Sequence, residues 1–151
     1  MGETKKQRSP LTTLCYIEKD DSYLMLHRIK KKQDVNEGKW IGVGGHFEEN
    51  ESPENCLLRE VKEETGLIIE NPKLKGIYHW FCENIHNIGY LYKVDYCEGE
   101  LRSSGEGEVY WISLEEYVQK ELAGGMDKVL AILIGNDFSE CYCKDGEEIL
   151  R

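Results

Sequence analysis

The sequence predicts a single α/β domain built on a mixed β-sheet, and three observations lead to that prediction. The chain has 151 residues, the length of one domain with a real hydrophobic core. Short β-rich segments outnumber helical ones, and the two stronger helical segments are separated by a block of strands. This alternation is typical of a sheet with helices packed on it. The sequence contains no internal repeat and no low-complexity segment.

The first half of the chain is expected to contain a hairpin, a loop, a short strand and a helix. The turn sequence Lys19-Asp20-Asp21-Ser22 separates two β-rich runs, which predicts the hairpin. Residues 1–9 are polar and are expected to be a disordered lead. The elements are strands at Leu11–Glu18 and Tyr23–His27, a charged loop at Arg28–Gly38, a strand at Lys39–Val43 and a helix after Gly44-Gly45.

That helix has clear signals at both ends. Ser52 is a good N-cap, and Pro53 suits the first helical position because its missing N–H has no partner there. Glu54 lies in the first turn, where the helix dipole favours a carboxylate. Gly66 fits the position after the helix, where the chain turns left-handed. We therefore expect a helix from about residue 53 to residue 65.

The second half of the chain is expected to add strands, two helices and a final hairpin. Asn71-Pro72 breaks the chain before two longer strands, and Ser113 is expected to cap a short helix. Asp145-Gly146 suggests a hairpin turn within residues 138–151. The elements are strands at Lys73–Phe81 and Ile88–Tyr96 around a polar loop at His86, a mobile loop at Glu98–Glu108, a strand at Val109–Ile112, a helix to about Glu121 and an apolar helix at Met126–Ile134.

Three glutamates of the first helix indicate a metal site. Glu60, Glu63 and Glu64 have the spacing i, i+3, i+4, so they fall within an arc of about 100° on one helix face. Like charges placed this way destabilise an isolated helix, and a bound hard cation offsets the repulsion. Oxygen-only ligation favours Mg²⁺, with Mn²⁺ as a substitute. The alternative is a solvated acidic face, but it does not explain the Gly-Gly loop and Glu51 that precede the helix.

Charge and hydropathy exclude several classes of protein. The chain has 19 basic and 29 acidic residues, for a formal charge of −10. This charge argues against a broad nucleic-acid surface, which requires basic patches. The sequence contains no run of 18 apolar residues, so it predicts no membrane span. The polar N-terminus lacks the apolar segment of a secretory signal. The expected location is therefore the cytoplasm.

Six cysteines occur at scattered positions. They are Cys15, Cys56, Cys82, Cys97, Cys141 and Cys143. A chain of this length with no secretory signal does not need disulfides, so free and mostly buried thiols are expected. Cys141 and Cys143 are separated by one residue, and a zinc pair is the alternative there, although no matching second pair occurs.

The segment from Gly45 to Leu67, GHFEENESPENCLLREVKEETGL, resembles the Nudix box at every specified position. The matching residues are Gly45, Glu51, Arg59, Glu60, Val61, Glu63, Glu64, Gly66 and Leu67. The wider segment Trp40–Leu67 and the chain length resemble MutT-type 8-oxo-dGTP diphosphatases. The resemblance implies a Nudix α/β/α sandwich and Mg²⁺-dependent hydrolysis of a phosphoanhydride bond.

The resemblance also implies roles for individual residues. Arg59, Glu60, Glu63 and Glu64 form the expected catalytic set, with Glu60 as the candidate base, Glu64 as the candidate bridging ligand and Glu51 in support. The expected metal ligands are Gly45, Glu60, Glu63, Glu64 and a late-loop glutamate, Glu106 in preference to Glu108. The expected substrate-binding residues are Arg28, Gly44, Gly45 and Asp127. His46 is expected to be a bystander.

Substrate identity is the least constrained part of the prediction. The resemblance implies a small-molecule substrate, a nucleoside triphosphate such as 8-oxo-dGTP, cleaved to the monophosphate and pyrophosphate. Some relatives have an asparagine beside the tryptophan before the Gly pair, whereas this chain has Ile41 after Trp40. ADP-ribose or dihydroneopterin triphosphate is the alternative substrate. A non-catalytic nucleotide-binding module is a further alternative.

Overall fold

The computed structural model describes residues 5–28, 38–103, 105, 107–117, 119–120 and 125–151. Ten strands and three helices occur in this part of the chain. The strands are β1 (Leu11–Lys19), β2 (Ser22–His27), β3 (Trp40–Ile41), β4 (Ile68–Ile69), β5 (Lys73–Cys82), β6 (Ile85–Val94), β7 (Cys97–Glu98), β8 (Glu108–Ser113), β9 (Glu140–Lys144) and β10 (Glu147–Leu150). The helices are α1 (Pro53–Thr65), α2 (Leu114–Tyr117) and α3 (Met126–Ile134).

The main sheet is mixed, as the sequence predicts. Its strand order is β10-β9-β5-β6-β1-β2-β3, and β8 pairs with β2 on the edge opposite β3. The pairs β1–β6 and β5–β9 are parallel, whereas the other pairs of this sheet are antiparallel. Strands β4 and β7 form a separate antiparallel pair. The α/β fold class is therefore confirmed.

The two longer helices cover opposite faces of the main sheet. Side chains alternate between the faces of a strand, and β1 illustrates this alternation. Tyr16 belongs to the buried cluster that contains the apolar residues of α3. Its neighbours Cys15 and Ile17 belong to the cluster that contains Leu57 and Val61 of α1. The result is a three-layer arrangement with the sheet in the middle.

Helix α1 has the caps that its sequence predicts. The Ser52 hydroxyl accepts a hydrogen bond from the Asn55 backbone N–H at 3.2 Å. Pro53 is the first helical residue. Gly66 has φ +79° and donates its N–H to the Lys62 carbonyl, which ends the helix in a left-handed turn. These local interactions set the residues at which α1 begins and ends.

The structure corrects three expectations. His86 lies inside β6, because Glu83 and Asn84 form the turn with positive φ values of 51° and 64°. The helix after Ser113 ends at Tyr117 in the described chain, whereas residues 118 and 121–124 lie outside it. The expected mobile loop contains Glu98 of β7, which pairs with Ile68 of β4.

Both ends of the described chain contact the sheet. Within the expected lead, residues 1–4 lie outside the described residues, and the Gln7 side chain lies 2.7 Å from Nδ1 of His86. Strands β9 and β10 form an antiparallel hairpin within residues 138–151. No helix in the described ranges is long and apolar enough to cross a membrane.

Candidate active site

The loop formed by Gly44 and Gly45 is bound to strand β1 by backbone hydrogen bonds. The Thr13 N–H donates to the Gly45 carbonyl at 2.9 Å, and Cys15 and Val43 exchange two backbone hydrogen bonds at 2.7 and 3.1 Å. A Cβ on Gly44, whose φ is +157°, would collide with the Thr13 carbonyl. Gly44 is therefore needed for close approach to β1, and the loop has one fixed position.

The carboxylates of α1 meet this loop directly. The Gly44 N–H donates to Oε1 of Glu64 at 3.3 Å. A Cβ on Gly45 would occupy the position of the Glu60 carboxylate, with its Oε1 only 2.7 Å away. The absence of a side chain at Gly45 thus leaves the space that Glu60 fills. The loop and the acidic helix face form one site.

Arg59 holds the acidic residues around α1 in place. Its Nε and Nη2 donate to the two carboxylate oxygens of Glu51 at 2.7 and 2.8 Å. Its Nη1 donates to Glu60 at 2.8 Å and to Glu63 at 3.2 Å. Its Nη2 also donates to the His46 carbonyl at 3.1 Å. A forked guanidinium suits this bridging role because its donors have fixed directions.

These ion pairs change the protonation equilibria of their members. The hydrogen bonds from Arg59 are the main cause that lowers the pKa of Glu51 from 4.5 to about 2, and the Glu48 N–H adds to the effect. The bond to Glu51 also raises the pKa of Arg59. Both groups are therefore charged throughout the physiological pH range, and the ion pair persists.

The three α1 carboxylates range from buried to exposed. Glu64 is 4% exposed, the Glu60 side chain is 16% exposed, and the Glu63 side chain is 58% exposed. Their oxygen donors suit a hard divalent cation such as Mg²⁺ or Mn²⁺. The space at Gly45, which a Cβ would fill, places backbone atoms beside the same carboxylates. The residues present therefore fit a divalent ion.

The described part of the chain contains no preassembled set of three or more His, Cys, Asp or Glu side chains around one point. The contacts of Arg59 explain this arrangement, because its Nη1 draws Glu60 and Glu63 toward the guanidinium. A cation bound by these two carboxylates would replace part of their contact with Arg59.

The expected late-loop ligand is only partly accounted for. Glu106 lies outside the described residues. Glu108 pairs with His27 in the β2–β8 ladder, and its carboxylate accepts a hydrogen bond from the Tyr110 hydroxyl. Gly107 packs against the backbone of His27 and Arg28. Gly107 and Glu108 are thus fixed beside the end of β2.

The structure places the predicted substrate-binding residues on different elements. Arg28 follows β2, and its backbone N–H donates to the Lys39 carbonyl. Residues 29–37 of the predicted loop at Arg28–Gly38 lie outside the described residues. Asp127 lies in the first turn of α3, its side chain is 68% exposed, and it is 3.6 Å from Nζ of Lys128. Gly44 and Gly45 lie in the carboxylate site itself.

The structure adds supporting residues that the sequence analysis did not identify. Cys56 is fully buried beneath the loop, where its thiol donates to the Gly45 carbonyl at 3.6 Å and contacts the Thr13 hydroxyl at the same distance. Burial raises the pKa of Cys56 to about 11, so the thiol remains a donor. Glu48 adds an ion pair to Arg59 at 3.0 Å. Only the position of Cys56 one turn before Glu60 could have indicated its role.

One known protein family matches most of this chain. The model of the NUDIX domain matches residues 8–133 of the chain. The chain belongs to the Nudix family. Family membership makes the protein a pyrophosphohydrolase by class, in agreement with the helix-borne carboxylates beside Gly44 and Gly45.

Curated relatives of the Nudix chain carry different names. It is 27% identical over 128 residues to the uncharacterized Nudix hydrolase YvcI of Bacillus subtilis, covering 81% of this chain and 77% of YvcI. It is 34% identical over 94 residues to an ADP-ribose pyrophosphatase of Methanocaldococcus jannaschii, covering 61% and 54% of the two chains. It is 32% identical over 96 residues to the NAD-capped RNA hydrolase NudC of Haemophilus influenzae, covering 62% and 35%. The matches to the last two proteins therefore span about half and about a third of their lengths.

Solved structures support the Nudix fold over most of the chain. A MutT protein from Bacillus halodurans has a TM-score of 0.73 and 28% identity, covering 93% of this chain and 94% of that one. The solution structure of the E. coli ORF135 protein has a TM-score of 0.74 and 24% identity, covering 87% and 92%. The second similarity concerns the fold alone.

The Glu51–Arg59 ion pair predicts a specific acid sensitivity. Because the pKa of Glu51 is lower in the folded protein, its contribution to stability is complete above about pH 4.5 and disappears as the pH falls toward 2. We expect Glu51→Gln to unfold at a lower temperature at pH 7, and to lose less stability than the wild type on acidification. Thermal unfolding followed by circular dichroism from pH 7 to pH 2.5 measures both effects.

The exposed Glu49 offers the matched control for that experiment. Glu49→Gln should keep the wild-type dependence on pH. If Glu51→Gln retained the same acid dependence as the wild type, the ion pair would not contribute to the stability of the site.

Proposed function

We propose that this Nudix enzyme hydrolyses a nucleoside triphosphate to the monophosphate and pyrophosphate with Mg²⁺ as its cofactor. The observation that carries the proposal is the contact of the Glu60 and Glu64 carboxylates with the backbone of Gly45 and Gly44. This contact joins an oxygen-rich helix face to a fixed loop. Such a site suits phosphoanhydride hydrolysis, in which positioning and charge neutralisation do most of the catalytic work.

Glu60, Glu63 and Glu64 are the proposed ligands of the divalent ion, together with Gly45 in the loop. When bound there, the ion neutralises charge on phosphate oxygens and acidifies a water. Glu64 has the most restricted position, because it is almost fully buried and accepts the Gly44 N–H. Glu63 is the most exposed of the three and remains adjustable.

Glu60 is the proposed general base that orients the attacking water. It lies at the gap that Gly45 leaves, and its carboxylate is mostly but not fully buried. Arg59 bonds only one oxygen of Glu60 at 2.8 Å, whereas it bonds both oxygens of Glu51. Arg59 and Glu51 therefore act as positioning residues, and Glu60 keeps an oxygen for the reaction.

Arg28 is the proposed cation that opposes the negative charge of the substrate. A cation at the end of β2 would hold a phosphate group, and the same backbone segment packs against Gly107 between the two candidate glutamates. Glu106 is retained as the proposed additional ligand. The Arg28 cation offsets locally part of the net charge of −10, which otherwise repels a polyphosphate.

An oxidised purine triphosphate such as 8-oxo-dGTP is the proposed substrate, and removal of damaged nucleotides is the proposed role. The likeness to a MutT protein over 93% of the chain supports this choice. Asp127 is the proposed base-reading residue, since its exposed carboxylate lies at the N-terminal turn of α3 beside the buried Met126. ADP-ribose is the second candidate, favoured by the relative that is 34% identical and bears that activity in its name.

Replacement of the proposed base is expected to abolish most of the activity. Glu60→Gln keeps the size of the side chain, and its amide oxygen can still accept the hydrogen bond from Arg59. The amide cannot, however, accept a proton from water. We expect kcat to fall by about 10²- to 10⁴-fold, the range for loss of a positioned general base. Initial rates of pyrophosphate release with Mg²⁺ measure the effect.

Glu54 provides the matched control, because it lies exposed in the first turn of the same helix. Glu54→Gln should retain wild-type kcat, and circular dichroism should give the same spectrum for both variants. Retained turnover in Glu60→Gln would remove Glu60 from the catalytic centre.

Substrate choice is tested with initial rates on a panel. The panel contains 8-oxo-dGTP, dGTP, ADP-ribose, dihydroneopterin triphosphate and an NAD-capped RNA, each at equal concentration with Mg²⁺. We expect the highest kcat/KM for 8-oxo-dGTP, with pyrophosphate and a monophosphate as products. We also expect Asp127→Ala to reduce the preference over dGTP while leaving kcat for dGTP unchanged.

Each other outcome on the panel has a definite meaning. Preference for ADP-ribose would keep the carboxylate chemistry and discard the assignment of Asp127. Preference for the capped RNA would contradict the expectation of a small-molecule substrate. Equal rates on all triphosphates would contradict selection for an oxidised base.

A further inference from the structure

Cys141 and Cys143 form a close thiol pair on the face of the sheet opposite α1. They are alternate residues of β9, so their side chains point to the same face. Their Sγ atoms are 3.6 Å apart. Cys141 belongs to the buried cluster beneath α3, and Cys143 packs at the edge of that cluster. Neither thiol contributes to the carboxylate site.

The two thiols differ in access to solvent. Cys143 is partly exposed, whereas Cys141 is fully buried. Burial raises the pKa of Cys141 to about 12, which keeps that thiol protonated. An oxidant from solvent therefore meets Cys143 first, and Cys141 is the neighbour within reach of the product. This division into an accessible thiol and a resolving thiol is typical of redox-active pairs.

We propose that Cys141 and Cys143 form a reversible disulfide when the protein meets a peroxide. The Cys143 thiolate attacks one oxygen of hydrogen peroxide, the O–O bond breaks, and Cys143 becomes a sulfenic acid with release of water after proton uptake. The Cys141 sulfur then attacks the sulfenic sulfur, the S–S bond forms, and the hydroxyl leaves as a second water with the Cys141 proton. Two thiols are oxidised, and one peroxide is reduced to two waters.

Strand geometry makes this disulfide easy to reduce. Two residues that are alternate in a strand point to the same face, and their Cβ atoms lie about 6.6 Å apart along the strand. A disulfide brings the two Cβ atoms to about 3.5–4.5 Å. Its formation therefore contracts β9, which is hydrogen-bonded on one side to β5 and on the other to β10. Strain of this kind is typical of labile and regulatory disulfides.

Tyr78 connects the thiol pair to the start of α3. It lies opposite Cys141 in the β5–β9 ladder, and burial together with the neighbouring Cys143 thiol raises the pKa of its hydroxyl. That hydroxyl fills the space where a Cβ on Gly125 would lie. The Gly125 carbonyl accepts the N–H groups of Lys128 and Val129 at 3.1 and 3.0 Å. Because the Tyr78 hydroxyl packs against Gly125, we expect oxidation of Cys143 to shift Tyr78 and to loosen the first turn of α3.

Peptide mapping of the full chain after peroxide treatment tests the proposal directly. The reduced protein is treated with hydrogen peroxide, and the remaining thiols are alkylated. The protein is then digested, and the mass of the peptide that contains both cysteines is measured by mass spectrometry. We expect this peptide to lose two hydrogen atoms and to escape alkylation, and glutathione should restore both thiols. Amides of Lys128 and Val129 should exchange with solvent about fivefold faster in the oxidised protein, which corresponds to the loss of one hydrogen bond.

Two variants serve as controls. Cys143→Ser should leave Cys141 as a free thiol after treatment. Cys82→Ser, which removes an exposed thiol of β5, should leave oxidation of the pair unchanged. The proposal is overturned if wild-type Cys82 or Cys97 is oxidised while Cys141 and Cys143 remain thiols, or if Cys143 reaches the sulfinic acid without a crosslink. Unchanged amide exchange would overturn the link to α3. None of these readouts depends on the proposed substrate.

Discussion

The arrangement of the candidate active site depends on one guanidinium. Arg59 bonds both oxygens of Glu51, one oxygen each of Glu60 and Glu63, and the His46 carbonyl. Without it, acidic side chains would face one another across a loop and a helix with only solvent to separate their charges. A bidentate bond to Glu51 is also the strongest type of contact in this set. It ties the segment before α1 to the helix that carries the proposed ligands.

Opposing demands meet at this site. The acidic face of α1 would attract a cation, whereas the net charge of −10 would repel the proposed polyphosphate substrate. Arg59 offsets part of the repulsion between carboxylates, and a bound divalent ion would offset the remainder. The loop 44–45 contributes no charge, but its missing side chains allow Gly44 to approach the backbone of β1 and leave the space at Gly45 that the Glu60 carboxylate fills. Charge and close packing therefore act together in the same few residues.

Local signals explain which features the sequence could predict. The caps at Ser52 and Gly66 act within one turn of the helix, so the limits of α1 follow from sequence alone. The contacts of Cys56 with Gly45 and Thr13 join three distant segments, and no local pattern encodes them. The predicted loop around His86 was wrong, because Glu83 and Asn84 form a two-residue turn with left-handed conformations and His86 already lies in β6. The spacing of the Nudix motif identified the carboxylates, whereas the contacts of Glu51 with Arg59 and of Glu60 with Gly45 depend on the tertiary fold.

Location of the bound ion tests the central claim that α1 and the Gly-Gly loop form one metal site. Paramagnetic broadening of backbone amide signals on addition of Mn²⁺ gives this location without any substrate. The account predicts that Gly44, Gly45 and the segment 60–64 lose intensity first. Broadening confined to the acidic hairpin that contains Glu140, Glu147 and Glu148, with sharp signals at Gly44 and Gly45, would contradict it.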